Sequence, residues 1–228
     1  MRNLYIIQSY HLPSGREGLS RLGYDGDAIL ADVSLRQDII KLIGGRARAT
    51  HYFSDGITQD GAKDVNDYLD SLLRRPEKRL KRQYEEVDKA VREHGLTSLE
   101  GEQRILFEFR PFHELQRRGM QIRFYATENE LTMNIDAATQ AEYAKAIASV
   151  KANDGVHSPQ DIVTLDARIS RLMEARDEVM FRNVVTQAAD NSILYAGIYH
   201  RLAPFKRAAD FNIYWLKITG EPPCSIEL

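Results

Sequence analysis

Ser192-Ile193-Leu194-Tyr195-Ala196-Gly197-Ile198-Tyr199-His200 is the stretch that decides the fold of this chain. Its apolar run is short and rich in aliphatic, β-branched and aromatic residues, and it closes on a glycine and a histidine. That is how a strand buried on both faces of a parallel sheet reads. The segment before it has helical spacing, from Ile162 through Ile169, Leu172, Met173, Met180 and Val184, and Ser158-Pro159 with Asp161 supplies a helix start. A long amphipathic helix feeding a buried strand is the repeating unit of an α/β protein.

Working outward, segments 4–7, 28–33 and 121–126 read as three further strands, and 211–218, which carries the only tryptophan, Trp215, as a fifth that closes one edge. Polar stretches with helical spacing separate them. Leu69, Leu72 and Leu73 precede Pro76, and Leu80, Tyr84, Val87 and Val91 follow it, so 60–74 and 76–94 form a helical hairpin that stops at Gly95. Residues 110–118 read as a short helix ending at Gly119, just before the 121–126 strand. The expected architecture is one α/β domain over 1–228: a mostly parallel central sheet flanked by helices, with a helical hairpin insertion at about 60–95.

Composition limits the function classes. The chain has 228 residues, 43% hydrophobic and 28% charged, which is globular rather than disordered. The lone Cys224 can build neither a disulfide framework nor a cysteine zinc site. With 31 basic and 33 acidic side chains the net charge is -2, so no global field draws the chain to nucleic acid or anionic lipid. The densest basic run, Arg74 to Arg82, is offset within two turns by Glu85, Glu86 and Asp88, and no nucleic-acid partner is expected. No stretch approaches the roughly 20 apolar residues that cross a bilayer. The run Met1 to Gln8 is too brief for the core of a signal peptide. A cytoplasmic location is the expectation.

The chemistry gathers after the strands. Strand one runs into Tyr10-His11, the second carries Asp32, the third leads to Glu128, and the fourth ends at Tyr199-His200. Carboxyl ends of parallel strands line the ligand crevice of open α/β sheets. Two imidazoles with one or two carboxylates suit a first-row divalent ion, which would acidify bound water and leave a carboxylate as general base. Each residue also has a plain reading, as a hydrogen-bonded loop histidine, a cap or a surface acid. Other chemistries lack their motifs. There is no Gly-x-Ser-x-Gly elbow, and the loop Ser14-Gly15-Arg16-Glu17-Gly18 lacks the Gly-Lys-Ser/Thr of a P-loop. His51, His94, His113 and His157 have no paired acids at ligand spacing and read as structural or surface residues.

Phe109-Arg110-Pro111-Phe112-His113-Glu114-Leu115-Gln116-Arg117-Arg118-Gly119 leads into a strand and Glu128-Asn129-Glu130; Ala175-Arg176-Asp177-Glu178-Val179-Met180-Phe181 then leads to Ile193 through His200. In this order the chain resembles the ChaN-like proteins and their wider clan of TraB/PrgY, Tiki-type and erythromycin-esterase-like proteins. There an arginine-bearing helix precedes a strand ending in Gly-x-x-His, as Gly197 to His200 do here. The resemblance implies an α/β core with a site at His11, Asp32, Glu128, Arg176 and His200. Two positions depart from it: Gln8 stands where the clan's first histidine motif has glycine, and Asp32 where a glutamate is expected.

The expected function is a metal-assisted hydrolase of an ester or peptide-like bond, with a small-molecule or peptide substrate. His11 and His200 would hold a divalent metal ion, and Glu128 or Asp32 would complete its shell or act as base. Arg176 would steady an anionic substrate group, or else join a ladder with Glu174, Asp177 and Glu178. The alternatives are a non-catalytic haem- or iron-binding protein using Tyr10 and Tyr199 with the histidines, and an interaction protein using the hairpin.

Overall fold

The computed structural model describes residues 1–9, 26–152, 159–197, 200–219 and 225–227. The chain is an α/β fold. Among these residues six strands form one sheet: β1 Arg2–Ser9, β2 His51–Ser54, β3 Arg123–Tyr125, β4 Asn191–Gly197, β5 Phe211–Thr219 and β6 Ser225–Glu227. Their order is β3-β2-β4-β1-β5-β6; the first five are parallel and β6 runs antiparallel to β5. Six α-helices connect them: α1 Gly26–Ala47, α2 Gln59–Leu73, α3 Glu77–His94, α4 Gly101–Arg117, α5 Glu130–Ala152 and α6 Pro159–Gln187.

Side-chain alternation sends the apolar strand residues into two cores, one on each face of the sheet. Ile7, Tyr52, Phe124 and Ile193 point into a core shared with α1 to α4. Leu4, Ile6, Phe53, Leu194 and Ala196 point the other way, against Met180 and Val184 of α6 and Leu202 and Phe205 beyond β4. β4 lies between β1 and β2, so its run Ile193-Leu194 is buried from both sides.

The expected hairpin is present as α2 and α3, within the connection from β2 to β3. Thr58 caps α2 by accepting from the Gly61 amide at 3.2 Å, and Gly95, at φ 80°, ends α3. The helix expected at 110–118 begins earlier, at Gly101, which places Pro111 inside it. A proline there leaves the carbonyl four residues back without its helical donor. That carbonyl belongs to Phe107, and the Gln37 amide of α1 donates to it at 3.0 Å. One side chain thus repairs α4 and joins it to α1.

Two expectations are corrected. Segment 28–33 is not a strand: it lies in α1, so Asp32 sits within a helix and not at a strand end. The second strand is instead His51–Ser54, followed by Asp55. The edge expected at β5 is also displaced, because β6 pairs Ser225, Ile226 and Glu227 with its last three residues. No described helix is long and apolar enough to cross a membrane.

Candidate functional site

Three connections meet beyond the carboxyl ends of β1, β2, β3 and β4, and two consecutive residues of α6 tie them together. The first is Asp177. Its Oδ1 lies 2.6 Å from Nδ1 of His200, and its Oδ2 accepts the Leu202 amide at 2.9 Å. The turn after β4 is thereby fastened at two points, across a Leu202 backbone held at φ 51°. On the other side of the ring, His200 Nε2 stands 3.5 Å from Asp55 Oδ2, which also accepts the Gly197 amide at 2.9 Å. All three side chains are buried.

Burial alone would push the His200 pKa down, but the hydrogen bonds and charges of Asp177 and Asp55 outweigh it and raise it to about 9. That shift favours the protonated ring at neutral pH. The two contacts differ, however. The Asp177 bond is short, whereas 3.5 Å to Asp55 exceeds ordinary hydrogen-bond length.

Arg176, the neighbour of Asp177, reaches the loop after β3. Its Nε and Nη2 both donate to Oε1 of Glu128, at 3.1 and 2.7 Å, and the Gly56 amide donates to the same oxygen at 3.2 Å. Glu128 is 2% exposed, and its Oε2 is buried without a hydrogen-bond partner among the described residues. Further along α6, Asn183 donates to the Thr127 carbonyl at 2.9 Å and Gln187 to the Ala126 carbonyl at 3.0 Å. Positions 176, 183 and 187 recur on one side of a helix, so a single face of α6 holds the whole 126–128 loop.

Gln8, at the end of β1, completes the frame. Its amide donates to the His200 carbonyl at 2.6 Å, and its Oε1 accepts from Trp215 Nε1 at 2.7 Å. Hydrogen bonds thus link Trp215 through Gln8 to the His200 carbonyl, and Gly56 and Arg176 to Glu128; the His200 ring stands 3.5 Å from Asp55, the residue before Gly56.

Of the residues expected at the site, the structure brings together Glu128, Arg176 and His200. Asp32 lies in α1, and Tyr10, His11 and Tyr199 lie outside the described residues. Arg176 pairs with Glu128, while Glu174 pairs with Arg201 and Glu178 with Arg182 and Arg207. Asp55 and Asp177 were not singled out as site residues. Asp55 follows a strand too short to show alternation, although Ser54-Asp55-Gly56 is a turn signal, and Asp177 reads locally as a ladder acid.

The described donors do not fit a metal shell. Asp177 engages His200 Nδ1 at 2.6 Å, and Asp55 stands 3.5 Å from Nε2. No three described His, Cys, Asp or Glu side chains form a group that could hold an ion. His11, the ligand expected beside His200, lies outside the described residues.

Beside this network a cavity of about 600 Å³ lies between α1, α4 and the sheet, with Ser54 and Asp55 among its lining. Asp55 thus belongs to both the cavity and the His200 pair. Comparison of the chain with family models, with curated proteins and with solved structures finds no match in any of the three.

Proposed function

We propose that the chain is a hydrolase of an ester or peptide-like bond, working through water activated by a carboxylate, with His200 as the proton donor. What supports the reading is a buried carboxylate oxygen without a partner among the described residues, Glu128 Oε2 in the loop after β3, together with a buried imidazole, His200 in the turn after β4, whose Nε2 has only a loose contact to Asp55.

In this mechanism Glu128 Oε2 takes a proton from water as the water oxygen bonds to the carbonyl carbon. Arg176 and the Gly56 amide hold Oε1 and so keep the other oxygen oriented. As the bond to the leaving group breaks, His200 Nε2 gives its proton to the departing oxygen or nitrogen. Asp177 fixes the ring by the opposite nitrogen, and the loose Asp55 contact is the one exchanged for the leaving group. The proton on Glu128 returns to His200 through solvent. No step is routed through a metal. The resemblance to ChaN-like and erythromycin-esterase-like proteins agrees with hydrolysis as one activity of that clan.

The test is an ester and peptide panel assayed with wild type, Glu128→Gln and His200→Gln after exhaustive chelation. The expected result is metal-independent hydrolysis that falls by about 10²-fold or more in each variant, the size of a general acid or base contribution. Folded wild type that is inactive across the panel, or activity unchanged in both variants, would overturn the reading. Activity lost on chelation and restored by a divalent ion would replace it with the metal-assisted form.

A further inference from the structure

We infer that the cavity between α1 and α4 is a binding site for an uncharged, aromatic-sized apolar group, presented with its polar end at Ser54 and Asp55. Its volume, about 600 Å³, falls in the range of small-molecule sites. The walls come from three directions: Phe107, Phe109 and Phe112 on α4, Tyr52 and Phe124 on the sheet, and Val33 and Ile40 on α1. The rings of Tyr52 and Phe112, of Phe112 and Phe124, and of Phe109 and Phe124 meet edge to face at 79–83°. Packed against one another in this way, the rings offer faces and edges to a flat guest.

Charge on the lining sets the class of guest. Arg36 and Arg104 are matched by Asp55 and Glu108, and Arg104 is already paired to Glu108 at 3.0 Å. The lining itself carries two cations and two carboxylates, a balance that leaves shape and apolar area as the main basis of selection. The polar groups at the sheet end, Ser54 and Asp55, adjoin the His200 network. As a statement about substrate the inference rests on the hydrolase reading, and it names an ester or amide with a bulky aromatic or branched acyl group. As a statement about binding it stands without it.

The experiment titrates N-methyl-2-naphthamide, a probe used only for binding, into the full chain by calorimetry, with N-methylacetamide as the small control. Saturable binding of the naphthamide is expected, with none of the acetamide. Val33→Trp, which fills the cavity from α1, should weaken binding at least tenfold, and Leu96→Trp fills it from another wall should the first variant fail to fold. No saturable binding of the naphthamide, or binding unchanged in the folded filling variants, would overturn the inference. Methyl 2-naphthoate and methyl acetate are then compared as substrates. Naphthamide binding with hydrolysis of neither ester would sustain the cavity and sink the hydrolase reading. Equal hydrolysis of both, untouched by the filling variants, would sink the cavity as acyl site and leave the hydrolase standing.

Discussion

Gln8 and His200 are separated by almost the whole chain, yet the Gln8 amide donates to the His200 carbonyl at 2.6 Å while its oxygen receives the Trp215 indole at 2.7 Å. Gln8 is a two-handed brace. Gln8→Ala should leave a buried carbonyl and a half-buried indole N–H without partners and cost about 1–3 kcal/mol in urea denaturation. Gln8→Glu should not restore the loss, because a carboxylate cannot donate to the carbonyl.

The raised His200 pKa makes stability depend on pH in a definite direction. A group whose folded value, about 9, lies above its ordinary 6.5 stabilises the fold fully below pH 6.5 and loses that contribution as the pH rises through 9. The loss is on the order of 3 kcal/mol. Asp177→Asn should flatten the decline between pH 6.5 and 9, measured by denaturation at a series of pH values. An equally steep decline in that variant would show that His200 and Asp177 are not its source.

Arg176→Met should be more damaging than Arg176→Lys, and both worse than an exposed arginine change such as Arg82→Ala. Removing the guanidinium strands the Glu128 carboxylate in the interior, a cost of about 3–5 kcal/mol. Lysine returns a charge but not the two donors that share Oε1. Thermal melts of the three variants at neutral pH give the order.

Gln37→Leu removes the donor that serves the Phe107 carbonyl opposite Pro111, and should cost about 1–2 kcal/mol. In a Pro111→Ala background the helix regains its own N–H at that position, so the same change should cost far less. A double-mutant cycle measures the difference, and additive costs would contradict the repair.

The sheet was legible where the sequence carries its signal in one place. β1, β3 and β4 are legible because each pairs a compact apolar run with polar punctuation. The second strand was misread because Ala28 to Val33 looks apolar in isolation but continues as a helix to Ala47, while His51–Ser54 is four residues long and shows no period. Placing the acid on Asp32 instead of Asp55 follows directly from that slip. The partnership of Asp177 with His200 was out of reach for another reason: it crosses 23 residues, and nothing local distinguishes it from the i, i+4 pairing Asp177 equally allows.

Arg176 and Asp177 are adjacent on one rigid helix, and they anchor two different loops. Any slide or roll of α6 would strip both anchors in the same movement, so the rim cannot loosen by halves. A ligand or partner that gripped the exposed side of this helix could therefore disable the entire constellation without ever entering it.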